Sequence, residues 1–353
     1  TSVEVWGDGI KGDTDMQEKV RLKDLAEKLN ISITTVSKAL NGHPDISEKR
    51  RKEIIEYAAS VNYVPNQVAK NFRQQRTNTV GIILSDNAYP YNSRMLHGME
   101  ETLAASGYYP IFVDSHQDAR RELELIRSLH ALNVAGVLLT PSHNGRESCD
   151  LLTNFQIPYV LARGYIDPDQ DAYVVVDDRM VSYMSVKYLS SYDGNKIFFI
   201  NSMERLPSAQ NRLLGYRQAL ADYGIKEEDD WVIQNCIGQQ GGYEVMKQLL
   251  RRHKPPFSVI CYSDYVATGM ICALQERKIQ IPSEVAIMGA DNIAILSYVK
   301  PRLTTIDLPK KRLGQRAAEM LVEMIEHPSN DAPIDFSKMR CVFQPRLIIR
   351  ETS

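Results

Sequence analysis

The stretch "RLKDLAEKLNISITTVSKALNG", residues 21–42, contains two short helical patterns in quick succession. The first pattern has the apolar spacing of one helix face and consists of Leu22, Leu25, Ala26 and Leu29. Asn30 follows, a residue that tolerates a left-handed turn. Ser32 is then a good N-cap for the second helix, because its hydroxyl can accept a hydrogen bond from a free backbone N–H group. The stretch therefore predicts two helices joined by a tight turn.

A third helix follows and would close a small bundle. Asn41 and Gly42 end the second helix, and Ser47 can cap the third. The inward-facing residues of these two helices are predicted to be Val36, Ala39, Leu40, Ile54, Ile55 and Ala58. Two short helices, a tight turn and a closing helix form the plan of helix-turn-helix domains. A helical bundle with another role would expose similar polar residues, so this pattern alone leaves DNA binding open.

Charge is distributed unevenly along the 353-residue chain. Residues 16–79 carry twelve Lys/Arg against seven Asp/Glu, a net charge of +5, although the whole chain has a net charge of −2. A basic module ahead of an acidic body indicates a polyanion-binding head. The five cysteines are scattered and lack CxxC spacing, which favours reduced thiols in a cytoplasm. We expect a cytoplasmic protein, because transmembrane-length apolar runs and a signal pattern are also absent from the sequence.

Residues 22–73, "LKDLAEKLNISITTVSKALNGHPDISEKRRKEIIEYAASVNYVPNQVAKNFR", resemble the head of the lactose-repressor (LacI/GalR) family of bacterial transcriptional regulators. The "TVSKALNG" core, the "VNYVPN" junction and their spacing agree with that family. By this resemblance, the recognition helix reads bases through Ile33, Thr34 and Lys38. Lys38 stands where many members have arginine, and it lacks the bidentate fork of that residue. Phosphate contacts, which position the domain, are expected from Ser32, Thr35, Ser37 and Asn41.

The polar stretch "PNQVAKNFRQQRTNT", residues 65–79, follows the head. In the family it forms a hinge helix that pairs with its dimer mate in the DNA minor groove, since it is too short to persist alone. The resemblance places Asn66, Ala69, Phe72 and Arg73 at this groove, with Phe72 as the wedge between base steps. The alternative is a solvated tether whose Phe72 packs on the body.

From Val80 onward, apolar strand runs alternate with amphipathic helical stretches in two series. The first series includes "TVGIILS", "VAGVLLT" and "AYVVV", and the second includes "KIFFINS", "FSVICYS" and "VAIMGAD". Interleaved strands and helices imply parallel sheets covered by helices, and two series imply two lobes. The predicted fold class is a small all-α helix-turn-helix head plus an α/β body of two Rossmann-like lobes. The family resemblance covers this body and implies the periplasmic-binding-protein architecture.

Four segments follow from these patterns. They are an N-terminal extension expected to be disordered (1–15), a helix-turn-helix DNA-binding domain (16–64), a hinge helix or linker (65–79) and a two-lobed effector-binding and dimerisation domain (80–353). The family's chain crosses between its lobes three times. The resemblance therefore places the first lobe at about 80–176 and 305–332, and the second at about 177–304 and 333–353.

Polar residues follow several predicted strands, at the sheet edge where ligands bind in open α/β folds. Carried over by position from the family, the effector-binding residues are Ser85, Tyr89, Tyr91, Asn92, Thr140, Arg163, Ser208, Arg212, Ile237, Ser263, Asp291 and Leu308. Arg212 and Asp291 together can clamp vicinal hydroxyls, which favours a sugar or a sugar derivative. Other interpretations stay open: helix caps for Asp264 and Asp291, loop packing for the two tyrosines, and an interlobe ion pair for Arg163.

The sequence thus predicts a LacI-family regulator that represses transcription and is controlled by a small-molecule effector. A homodimer would read a pseudo-palindromic double-stranded operator with two heads. We expect no catalytic residue, cofactor, metal site or membrane partner. A sugar-binding transport or chemoreceptor protein of the same fold is the alternative, which the intact head and the missing signal segment oppose. An enzyme is a third possibility, although GxSxG, HExxH and P-loop patterns are absent.

Overall fold

A computed structural model describes residues 20–63, 77–85, 90–142, 145–192, 196–327 and 339–353. The chain divides after Gln75 into two compact units, a small head and a large body. Three predictions lie outside the described residues: the N-terminal extension, the hinge residues Asn66, Ala69, Phe72 and Arg73, and the pocket residue Tyr89.

The head contains three helices, α1 (Leu22–Lys28), α2 (Ile33–Leu40) and α3 (Glu48–Ser60). The backbone turns between α1 and α2 at Asn30, whose φ of 52° lies in the left-handed region. Ser32 caps α2 by accepting a hydrogen bond from the N–H of Thr35 at 3.0 Å. The tight turn and its cap therefore come from the residues that the sequence indicated.

The core of the head consists of Leu25, Ala26, Val36, Ala39, Ile54 and Ala58. Ile54 and Ala58 are four residues apart and share one face of α3. Ile55 is 46% exposed, so the prediction that it faces inward was wrong. One residue along a helix rotates the side chain by about 100°, which turns Ile55 away from α1 and α2.

The first lobe of the body contains a six-stranded parallel sheet with helices against it. Its strands are β1 (Thr79–Leu84), β2 (Tyr109–Asp114), β3 (Gly136–Leu139), β4 (Tyr159–Ala162), β5 (Tyr173–Val176) and β11 (Arg340–Phe343), in the order β11-β5-β4-β3-β1-β2. Its helices are α4 (Pro90–Ala105), α5 (Ala119–Ala131), α6 (Gly145–Asn154) and α11 (Lys310–Glu326).

The second lobe contains a six-stranded sheet that is parallel except for its last strand. Its strands are β6 (Ile197–Ile200), β7 (Val232–Ile233), β8 (Phe257–Cys261), β9 (Val285–Ala290), β10 (Thr304–Asp307) and β12 (Arg346–Ile348), in the order β12-β10-β9-β8-β6-β7. Its helices are α7 (Asp178–Leu189), α8 (Pro207–Asp222), α9 (Gly238–Arg252), α10 (Asp264–Glu276) and a 3-10 turn at Ala294–Ser297. The predicted fold class is confirmed.

Two predicted lobe boundaries were wrong. β10 pairs with β9 of the second lobe, so the chain returns to the first lobe after Asp307 and not at about residue 305. β11 pairs with β5, so residues 340–343 complete the first sheet and the third crossing lies at Gln344 and Pro345 rather than near residue 333. Proline cannot donate to a strand ladder, which fits a change of sheet at this point.

Helix α11 returns to the first lobe by packing closely on α4. A Cβ atom on Gly98 would lie 2.2 Å from the carbonyl oxygen of Lys311, and one on Gly314 would lie 2.0 Å from that of Met95. Only glycine permits this distance between the two backbones. Among the described helices, none is long and apolar enough to cross a membrane.

Candidate functional site: a DNA-reading helix and an interlobe cavity

The predicted base-reading side chains lie along α2, with Ile33 and Thr34 in its first turn and Lys38 in its last. Ile33 is 44% exposed and Thr34 is also exposed, although an apolar residue such as Ile33 normally lies in a core. Lys38 Nζ lies 2.8 Å from Asp45 Oδ2, and this hydrogen bond lowers the pKa of the Asp45 carboxyl. Both side chains are well exposed, so the pair is weak and Lys38 can exchange it for a base acceptor.

The predicted phosphate contacts lie at the two ends of α2. The Ser32 and Thr35 hydroxyls are 2.8 Å apart, and the side-chain amide of Asn41 donates to the carbonyl of Ser37 at 2.8 Å. These bonds fix the helix ends before any ligand arrives. The N-terminus of α2 carries the positive end of the helix dipole, which suits a phosphate group.

A cavity of about 190 Å³ lies between the two lobes of the body. Six predicted effector-binding residues line it: Ser85, Thr140, Arg163, Ser208, Ile237 and Ser263. A smaller recess of about 20 Å³ shares Arg163 and Ser208 with this cavity. Its walls include four further predicted residues: Tyr91, Arg212, Asp291 and Leu308. The structure thus brings together ten of the twelve residues, drawn from segments far apart in the sequence.

Two predicted residues do not line the site in the described part of the chain. Tyr89 is outside the described residues, and Asn92 is buried behind the cavity wall. Asn92 Oδ1 accepts a hydrogen bond from Arg163 at 3.2 Å, so this asparagine orients a lining residue. Thr140 is similarly engaged, because its hydroxyl accepts from the N–H of Ser85 at 2.7 Å.

Arg212 is buried in the recess and is held by three contacts. Its Nε lies 2.7 Å from Asp178 Oδ1, its Nη1 donates to the carbonyl of Tyr262 at 2.5 Å, and its guanidinium lies 4.3 Å from the Tyr262 ring centroid. Burial raises the pKa of Asp178, and the positive charge of Arg212 opposes this effect. Arg212 is therefore held in one position, and part of its guanidinium faces the recess.

The ring of Tyr91 is flanked by two cations. The Arg163 guanidinium lies 4.6 Å from its centroid, and Lys310 Nζ lies 5.5 Å from it. Burial raises the pKa of Tyr91 far above its ordinary range, so the phenol stays neutral. Lys310 also donates to the carbonyl of Asp291, which links the first residue of α11 to the second lobe. This buried amine connects the lobes beside the recess.

Ser263 and Asp264 are neighbours with different roles, since Ser263 lines the cavity and Asp264 is fully buried. Ser263 is the N-cap of α10 and accepts from the N–H of Val266 at 3.4 Å, so the interpretation of Asp264 as a helix cap was wrong. Asp264 accepts instead from the Thr305 hydroxyl at 2.6 Å and from the N–H of Ile293 at 2.8 Å. Burial raises the pKa of Asp264 to about 7, with a further contribution from the charge of Asp291.

Sequence reasoning missed several lining residues. Tyr262 and Asp178 line the recess, and Gln117, Tyr165 and Arg205 line the cavity. Tyr262 and Asp178 each follow a strand closely, so the rule that ligands bind beyond strand ends could have found them. Arg205 lies in the loop between β6 and α8, so the same rule covers it, but that loop holds several polar residues and the rule does not tell which of them faces the cavity. The described residues contain no group of three or more His, Cys, Asp or Glu residues placed to hold a metal ion.

Two family models match the chain. "Bacterial regulatory proteins, lacI family" matches residues 21–66, and "Periplasmic binding protein-like domain" matches residues 186–353. The ribose operon repressor of Haemophilus influenzae is 28% identical over 331 residues, which cover 94% of this chain and 98% of the repressor. The HTH-type transcriptional repressor PurR of Mannheimia succiniciproducens is 28% identical over 334 residues, with the same two coverages.

The fold is similar to that of a solved lac repressor dimer bound to operator and the anti-inducer ONPF. The TM-score is 0.82 at 19% sequence identity, and the match covers 95% of this chain and 99% of the solved one. At this identity the similarity supports the architecture of the two domains.

Proposed function

The chain belongs to the LacI family of bacterial regulatory proteins, and from this premise we propose that it is a sequence-specific DNA-binding repressor of transcription. A small molecule bound between the lobes controls it. The observation that carries the proposal is that the two units contain two different kinds of candidate binding site. One presents a capped, exposed recognition helix, and the other encloses a cavity lined by both of its lobes. The two relatives that match nearly the whole chain are named as repressors, which supports a regulator rather than an enzyme.

The proposed DNA complex contains two copies of the chain. Two heads related by twofold symmetry would read the two half-sites of a pseudo-palindromic operator. In each head, Ile33, Thr34 and Lys38 would face base edges, and the ends of α2 would lie against phosphates. The lac repressor of similar fold is described as a dimer bound to operator, which supports this arrangement. Such a regulator would act on chromosomal DNA in the cytoplasm.

Effector control would follow from the position of the cavity. A ligand that contacts both lobes binds one lobe arrangement better than another, and it therefore shifts the equilibrium between them. The change reaches the operator as a coupling free energy, typically about 1–3 kcal/mol. Lys310 lies at a crossing between the lobes and binds the carbonyl of Asp291, so it is placed to sense the lobe arrangement.

The proposed effector is a sugar or a sugar derivative. Arg212 and Asp291 line the same recess, and an arginine with a carboxylate can bind two neighbouring hydroxyls. One relative is named as the repressor of a ribose operon, which supports this class of ligand.

Operator selection from a library of palindromic duplexes tests the function. We expect the purified full-length protein to select one palindrome and to lose affinity steeply as salt rises, because cations on the head release counterions from DNA. Gel shift and fluorescence anisotropy would measure both effects. A protein that shows no salt-dependent preference for any duplex would not be a transcription factor of this kind.

The hinge prediction has its own test. The substitution Phe72→Ala should lower operator affinity and reduce DNA bending while effector binding stays intact, because a minor-groove wedge kinks the duplex. Circular-permutation gel shifts measure bending, and calorimetry measures effector binding. Unchanged bending would favour the alternative that residues 65–79 are a tether.

A further inference from the structure

The recess and the larger cavity differ in charge. In the recess, the cations Arg163 and Arg212 are accompanied by the carboxylates of Asp178 and Asp291. The described lining of the larger cavity contains Arg163 and Arg205 but includes no aspartate or glutamate. Arg205 is exposed and takes part in none of the ion pairs of the described residues; its Nη2 donates to the Met203 sulfur at 3.4 Å. The larger cavity therefore has an excess of positive charge.

Two helix N-termini add to this positive character. Helix α8 begins after Leu206 and α9 begins after Ile237, and both N-cap residues line the cavity. Neither has a side chain that accepts a hydrogen bond, which leaves first-turn N–H groups for a ligand, although α8 begins with Pro207 and so lacks the first of them. Helix α10 is different, since Ser263 caps it. Uncapped helix N-termini favour anions through these N–H groups and the helix dipole.

A buried hydroxyl on the opposite lobe provides an independent indication. Ser142 lines the cavity and is only 7% exposed, yet its Oγ has no hydrogen-bond partner among the described residues. Its backbone N–H is already used, because it donates to Glu122 at 2.8 Å. A buried hydroxyl without a partner costs free energy, so such groups in proteins usually meet a water molecule, an ion or a ligand. Ser142 thus adds a hydrogen-bond donor from the first lobe.

We propose that the effector carries an anionic group, a carboxylate or a phosphate, that binds in the larger cavity between Arg205, Ser142 and the N-termini of α8 and α9. The hydroxyl-bearing part of the same molecule would reach the recess, where Arg212 and Asp291 lie. This inference rests on the proposed function and narrows its ligand class to sugar acids or sugar phosphates. Because the anion contacts both lobes, its charge would stabilise the closed arrangement.

Matched probes separate charge from shape. Calorimetry on the full-length protein would compare glucose, gluconate and glucose 6-phosphate, and then ribose, ribonate and ribose 5-phosphate. We expect an anion of at least one set to bind about tenfold or more tightly than its neutral sugar, because charge-assisted hydrogen bonds are the strong ones. The aldonate and the phosphate ester of each set distinguish a carboxylate from a phosphate.

Variants locate the anion in the body rather than on the basic head. Arg205→Gln should weaken binding of the preferred anion about five- to tenfold and should change the affinity for the neutral parent sugar less than about twofold. Ser142→Ala should weaken binding of the anion about threefold. Arg127→Gln removes one exposed positive charge outside the cavity lining, and this control should leave both affinities unchanged.

The outcomes separate this inference from the proposed function. Equal affinity for the neutral sugar and both of its anions would overturn the anionic site, while a sugar that changes operator affinity would still support the regulator. An anion that binds through Arg205 but leaves operator affinity unchanged would support the site and contradict the regulator. If a protein that binds operator takes none of the six probes, the anionic site and the sugar class of effector both fail, while operator binding still supports the regulator.

Discussion

The head and the body place their functional residues in opposite ways. In the head, the side chains proposed to read DNA occupy one short helix and face outward, and a core of six buried residues supports them. In the body, the side chains proposed to bind the effector face inward and come from loops more than a hundred residues apart, such as those of Ser85 and Asp291. Function in the head thus depends on local helix geometry, whereas function in the body depends on the long-range arrangement of two sheets.

Loss of Arg212 should affect the body most. Arg212→Ala leaves the buried Asp178 carboxylate without its 2.7 Å partner, and breaking a buried ion pair costs about 3–5 kcal/mol. Effector binding should be lost at the same time. Urea denaturation with separate probes for the two units would detect the loss in the body transition alone.

Arg217→Ala is the control on the same helix, since its pair with Glu227 is largely exposed and is worth less than about 1 kcal/mol. Equal losses of stability in Arg212→Ala and Arg217→Ala would contradict the burial of the Arg212–Asp178 pair.

The corresponding test in the head compares two neighbouring isoleucines. Ile54→Ala removes a fully buried side chain from a small core and should cost about 3 kcal/mol, which unfolds the head and abolishes operator binding. Ile55→Ala should change stability by less than about 0.5 kcal/mol, because Ile55 is exposed. Calorimetry should show the body transition unchanged in both variants. A body that melts with the head would mean that the units are not independent.

Local signals explain which predictions from the sequence were correct. Asn30, Ser32 and Ser47 act on backbone groups within a few residues of themselves, so their types alone indicated the turn and the two caps. Ile55 shows the limit, because Ile54 and Ile55 are identical side chains and only the packing of α3 on α1 and α2 decides between them.

Long-range pairing explains the predictions that were wrong. β11 is a short strand, and its membership in the first sheet depends on β5, which lies far away in the sequence. The sequence of one strand does not reveal which strand it pairs with, so the resemblance placed this lobe boundary wrongly. Arg205 was missed for a related reason: the loop after β6 contains several polar residues, and only the fold of the second lobe decides which of them reaches the cavity.

The buried carboxyl of Asp264 makes the stability of the body depend on pH. Its pKa in the folded protein is about 7, above the ordinary value of an aspartate in the unfolded chain. The folded state therefore holds the proton more tightly, and its stability falls as pH rises between about 4 and 7. Between pH 5 and 7 the loss should be about 2 kcal/mol. The charge of Asp291 raises this pKa further, whereas the charge of Lys310 lowers it.

Urea denaturation at pH 5, 6, 7 and 8 would measure this slope. Asp264→Asn cannot titrate, so the dependence of its body transition on pH should be weaker than that of the wild type. Asp222→Asn changes an exposed carboxylate and should leave the slope as it is. Parallel slopes for Asp264→Asn and the wild type would show that Asp264 is ionised in the folded state throughout this range.

The smallest expected effect tests whether one residue sets the turn between α1 and α2. Asn30 has a φ of 52°, a conformation that costs an alanine about 1 kcal/mol and costs a glycine almost nothing. Asn30→Ala should therefore lower head stability by about 1 kcal/mol, and Asn30→Gly should stay within about 0.5 kcal/mol of the wild type. Thermal unfolding of the head, followed alongside operator affinity, compares the pair. Equal stability of the alanine and glycine variants would mean that the packing of α1 against α2 imposes the turn, and the head would then depend on long-range contacts as the body does.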